Sequence, residues 1–112
     1  MSSEIIESRR VEHIATGNRR LIVCVFQLLK GDVRRQVQVP IPIHECELLT
    51  VNGLQGMPDD QVLKFAEEWM RAQPLDPFDS PEAGLCFEVP SGLIQEWKRL
   101  GMIPDHLKPR KP

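Results

Sequence analysis

Residues 19–43 read Arg19-Arg20-Leu21-Ile22-Val23-Cys24-Val25-Phe26-Gln27-Leu28-Leu29-Lys30-Gly31-Asp32-Val33-Arg34-Arg35-Gln36-Val37-Gln38-Val39-Pro40-Ile41-Pro42-Ile43. Two apolar, β-branched runs flank Gly31-Asp32. Glycine leading a two-residue loop specifies a type II′ turn, whose twist suits antiparallel strands, so the stretch reads as a β-hairpin. Mirror order about that turn sets Lys30 against Val33, Phe26 against Val37, Cys24 against Val39 and Ile22 against Ile41, a uniformly apolar face. The other face sets Leu21, Val23, Val25, Gln27 and Leu29 against Arg34, Gln36, Gln38, Pro40 and Pro42, a mixture that calls for partial cover. Proline cannot donate to a ladder. In this register Pro40 and Pro42 fall at non-hydrogen-bonded pairs with their missing donors turned outward. Residues 33–43 are therefore expected at a sheet edge and residues 21–29 inside.

Upstream, residues 8–15 alternate Val11, His13 and Ala15 with Arg10, Glu12 and Ile14 before Thr16-Gly17-Asn18. This predicts a third antiparallel strand on the free side of 21–29, with His13 facing Ile22. Downstream, residues 44–57 carry only a weak pattern, read as a turn of helix or irregular chain. A helix is predicted over 58–73. Pro58 suits a first helical position, Asp59 and Asp60 suit the positive end of the dipole, and Pro74 closes it. Its apolar stripe is Val62, Phe65, Ala66 and Trp69, broadened by Leu63 and Met70, with Glu67 and Arg71 at pairing distance on the wet side. Three prolines and three acids make 74–84 a surface loop. Residues 85–89 read as a short strand that either extends the sheet or pairs elsewhere. Ser91 then caps a second helix over 91–100 carrying Leu93, Ile94, Trp97 and Leu100, with Gly101 as its left-handed terminator.

Strands before helices specify an α+β fold: a small antiparallel β-meander of three or four strands packed against one long and one short helix. The 112 residues suit a single domain over 1–104, followed by a flexible, basic, proline-rich tail at 105–112. No apolar run approaches a membrane span, and the polar N-terminus lacks the regions of a signal peptide. Cys24, Cys46 and Cys86 are odd in number and widely spaced, which fits reduced thiols and a cytoplasmic location. Residues 1–43 carry about +3 net charge and the remainder about −5. In a compact fold these fields interleave and partly cancel.

Chemistry-bearing clusters are sparse. His44-Glu45-Cys46 joins two good zinc ligands, but no second pair follows at ligand spacing. On an extended segment the His44 and Cys46 side chains would share a side, as a thiol nucleophile and its base require. Glu45 and Glu47 flank that thiol, and negative charge raises a thiol's pKa. Arg9-Arg10, Arg19-Arg20 and Arg34-Arg35 raise nucleic-acid binding, yet adjacent strand residues point to opposite faces and split each pair. With no tyrosine, and Phe and Trp at core-patterned positions, a platform for stacking bases is missing.

The reading these patterns support is a small interaction or accessory protein, not an enzyme, that acts by protein–protein binding as a homodimer. It expects no catalytic residue, no cofactor and no metal, with His44 and Cys46 the only metal candidates. Leu21, Val23, Val25, Arg34, Gln36, Gln38 and Trp97 are the expected partner-binding residues. Leaving the apolar ones wet would forgo roughly 1.5–3 kcal/mol each, so either the 91–100 helix covers the mixed sheet face or a second subunit does. The homodimer is expected through that face or through the helix, not through the proline-blunted edge. A thiol- or metal-dependent enzyme centred on His44 and Cys46 is the alternative. A nucleic-acid-binding protein using the arginine pairs is the second.

Overall fold

The computed structural model describes residues 4–45 and 59–101. It is an α+β fold whose strands lie in the order β1 (Ile5–Thr16), β2 (Arg19–Lys30), β3 (Val33–Pro42) and β4 (Gly84–Cys86). The first three form the antiparallel meander, and β4 adds parallel to β3. Helices α1 (Asp59–Ala72) and α2 (Leu93–Leu100) complete it, with a 3-10 turn at Pro77–Asp79. Expectations for 46–57, for Pro58 and for the tail at 105–112 fall outside the described residues. Among the described residues no helix is long and apolar enough to cross a membrane.

The central hairpin has the register its pattern dictates, with Lys30 opposite Val33, Phe26 opposite Val37 and Ile22 opposite Ile41. Gly31 has φ 63°, and no non-glycine residue described has positive φ, so Asp32 does not share that conformation. A single left-handed residue, first in the loop, is the type II′ turn. Gly17, at φ 60°, makes the matching turn that sets Thr16 against Arg19 and His13 against Ile22. β1 starts earlier than its alternation suggests, because a bulge between Ile6 and Ser8 shifts the register and breaks the sequence period.

The apolar face of the hairpin builds the core. Ile22, Cys24, Phe26, Leu28, Val37, Val39 and Ile41 pack under Val62, Phe65, Ala66 and Met70 of α1 and Ile94 of α2. Met70 is fully buried and Trp69 only partly, a one-residue rotation of the expected stripe. Two ion pairs hold α1 to β1 and to the residue before it: Arg9 meets Glu67 at 3.0 Å, and Arg71 meets Glu4. The expected Glu67–Arg71 pair along the helix gives way to these, since Arg9 of β1 and Glu4 just before it bring opposite charges to both residues.

One expectation is overturned: β3 is an interior strand. Gln36 N–H donates to the Ala83 carbonyl, and the Gln38 and Pro40 carbonyls accept from Phe87 and Val89, each at 2.9 Å. The outward side of Pro40 is an acceptor as well as a missing donor, and a parallel neighbour can use the acceptor alone. Pro40 has no N–H to offer the Phe87 carbonyl, the next bond of a parallel ladder. This accounts for β4 ending at Cys86 instead of Val89 although the chain continues alongside. The sheet's edges are thus β1 and β4.

Candidate functional site: the open face of the sheet

Because side chains alternate, the pairing of the four strands sets in rows the residues that point away from α1. Across the sheet they run Ile5–Leu29–Arg34, Ser8–Gln27–Gln36–Gly84, Arg10–Val25–Gln38–Cys86, Glu12–Val23–Pro40 and Ile14–Leu21–Pro42. Leu21, Val23, Val25, Arg34, Gln36 and Gln38, all expected to bind a partner, therefore share one surface. Trp97 does not. It lies on the other side of the sheet, its ring edge-on to Phe65 at 5.8 Å and 6.5 Å from Trp69.

The position of Trp97 shows that α2 does not cover the mixed face. α2 packs with α1, placing Ile94 in the core and Trp97 against two α1 aromatics. No described element lies over the rows above. Val23 and Val25 are only 5% and 1% exposed yet stand outside the core cluster. Around them Ile5 and Ile14 are 53% and 40% exposed, and Leu21, Leu29, Pro40 and Pro42 are half-buried.

The polar groups of this face are arranged in pairs. Arg10 Nε donates to Glu12 at 2.9 Å, and Arg34 Nε donates to Glu7 at 3.0 Å. Arg35, on the opposite face, instead donates to the Ser80 carbonyl at 3.3 Å and anchors the loop that precedes β4. A depression of about 420 Å³ opens between β3 and β4, lined by Gln36, Gln38, Glu82, Gly84, Leu85 and Cys86. Burial first, and the Glu88 carboxylate second, raise the Cys86 thiol above its ordinary value. A thiol so placed is held protonated, the reverse of an activated nucleophile.

The His44-Glu45-Cys46 cluster takes a different form. Residues 43–45 are helical, not extended, His44 is exposed, and Cys46 lies outside the described residues. Among the described residues no group of three or more His, Cys, Asp or Glu side chains is placed to hold a metal. Glu45 is fully buried, and its carboxylate accepts from Gly92 N–H at 2.6 Å and Ile94 N–H at 2.7 Å. It caps α2 from 47 residues away, satisfying amides that a helix start leaves unpaired. Ser91 is not the cap. α2 begins at Leu93, and Gly92, at φ 89°, takes the position before it. No local spacing marks Glu45 for this role, since its partners are brought to it only by the fold.

No protein-family model, no curated protein and no solved structure matches this chain.

Proposed function

We propose that this chain is an interaction protein that works as a homodimer and binds a protein partner across the open face of its sheet. One observation carries the reading: α2 packs with α1 and not over that face, where Ile5 and Ile14 are exposed and Leu21, Leu29, Pro40 and Pro42 half-buried, with no other described element above them. Contiguous apolar surface of this kind marks binding sites on soluble proteins. The paired carboxylates also weaken the nucleic-acid reading, because Arg9, Arg10 and Arg34 each already meet a glutamate and offer phosphate little unspent charge.

The test compares capture of partners from a lysate of the source cells by wild type, Leu21→Glu and Gln38→Glu, all confirmed folded by circular dichroism. Both substitutions lie on the open face, on β2 and β3 and not on β1 itself. Loss of the same captured protein in both variants is the expected result. Capture that is indifferent to both, or equally lost with a variant of the opposite surface such as Lys64→Glu, overturns the reading.

A further inference from the structure

A preference for face-to-face association assumes that both sheet edges are unavailable, but β3 is interior and the sheet's edges are β1 and β4. β1 is twelve residues long and contains no proline. Among the described residues no strand pairs with its outer side. We infer that the second copy of this chain docks there, β1 against β1 in antiparallel register centred on Val11, so that Arg10 faces the partner's Glu12 across the dimer axis and Glu12 the partner's Arg10. The inference rests on the homodimer proposed above and names its interface.

Hydrogen-bond parity along the sheet restricts the register. The backbone bonds of Gln36, Gln38 and Pro40 to residues 83–89 show the even-numbered residues of β3 bonding toward β4, so its odd-numbered residues bond toward β2. Alternation carries this across: even residues of β2 bond to β3, odd ones to β1, and their partners in β1 are Arg10, Glu12 and Ile14. The outer edge of β1 therefore presents the N–H and C=O groups of Arg9, Val11, His13 and Ala15. In a symmetric antiparallel pair, odd residues must face odd residues.

Charge selects among the registers that remain. Centring on Arg9, Arg10 or Glu12 would set that side chain against its own copy, and like charges directly opposite repel. Centring on Val11 sets Arg10 against the partner's Glu12 and Glu12 against the partner's Arg10. Both sit at non-hydrogen-bonded pairs, where side chains approach most closely. The Arg10–Glu12 contact at 2.9 Å within one chain shows both groups already oriented over the same strand. Val11 would exchange two backbone bonds with its counterpart, and Arg9 would do so with the partner's His13. The dimer axis is then perpendicular to the sheet. It joins two four-stranded sheets into one and leaves both open faces on the same side, doubling the partner-binding surface.

The experiment is sedimentation velocity of the full chain from about one to several hundred micromolar. Wild type is compared with Glu12→Arg, with the double variant Arg10→Glu/Glu12→Arg, and with His13→Pro, whose lost N–H is one the sheet itself does not use. Glu12→Arg should raise the dimer dissociation constant roughly 10–100-fold, and the double variant should restore it. His13→Pro should be folded and monomeric. If His13→Pro fails to fold, the charge exchange alone decides. A dimer that ignores both Glu12→Arg and His13→Pro but is broken by Leu21→Glu lies on the open face, which overturns the edge and keeps the homodimer. A wild-type monomer throughout overturns both. Partner capture by Leu21 and Gln38 variants is read independently of either result.

Discussion

Glu45 shows how much one buried side chain can organise. A fully buried carboxylate that accepts two amide donors replaces the water those amides would otherwise hold. Removing it orphans buried donors at the start of a helix. Glu45→Ala is expected to cost about 2–4 kcal/mol in urea denaturation, and Glu45→Gln less, because one amide oxygen still accepts. A loss under about 0.5 kcal/mol for Glu45→Ala would remove its structural role. Cys24 makes a second, pH-dependent case. Burial first, with the Asp59 carboxylate adding, pushes its thiol from 9.0 up to about 12, and its Sγ lies 3.9 Å from the Val62 carbonyl. Below pH 9.0 folded and unfolded chains both keep the proton, and its contribution is intact. Between 9.0 and about 12 only the unfolded chain releases it, so stability falls as pH rises, by up to about 1.4 kcal/mol per unit. Cys24→Ala should flatten this alkaline slope when unfolding free energy is followed against pH.

The hairpin and the short helix draw their stability from different sources. The β2–β3 hairpin carries its own instructions, in alternating apolar residues and a glycine held at φ 63°. Gly31→Ala forces a β-carbon into the left-handed region and is expected to cost about 1–2 kcal/mol by denaturant titration, with the dimer constant unchanged. A value near zero would mean the turn relaxes to another type. α2 has only eight residues, too few to be stable alone. It depends on Glu45 at one end, Gly101 at φ 71° at the other, and Ile94 and Trp97 between them. Ile94→Ala should therefore cost about 2–5 kcal/mol, with Trp97 fluorescence changing before the sheet unfolds.

For the assembled fold, protection should follow position in the sheet. Amides of β2 and β3 are held between neighbouring strands on both sides, whereas the outward amides of β1 are not. Hydrogen exchange at low protein concentration should find Ile22, Cys24 and Phe26 slow and Arg9, Val11 and His13 fast. Raising the concentration should slow the latter three together and leave Arg10 and Glu12 unaffected, because the even amides already bond to β2. Uniform slowing along β1, or none, would separate self-association from strand pairing.

Local pattern alone determined the hairpin register, both glycine turns, the apolar face of α1 and the glycine terminator of α2, because each depends on side-chain period or on a single backbone conformation. It also gathered Leu21, Val23, Val25, Arg34, Gln36 and Gln38 on one face, since period-two alternation carries that information along the strands. The tertiary structure alone decided that the second edge is β4 and not β3. The outward carbonyls of Gln38 and Pro40 could be left open or taken by residues 83–89, and nothing near either segment chooses. It alone placed α2, whose apolar stripe would fit either face of the sheet, and it drew Trp97 away from the six residues it was grouped with. The cap on that helix was equally hidden: Ser91 is the residue that short-range rules favour, and Glu45 reaches the amides of Gly92 and Ile94 only once β3 and α2 are packed. Contacts between segments far apart in the chain leave no periodic trace, and these are the contacts that set the open face and its exposed neighbour, β1.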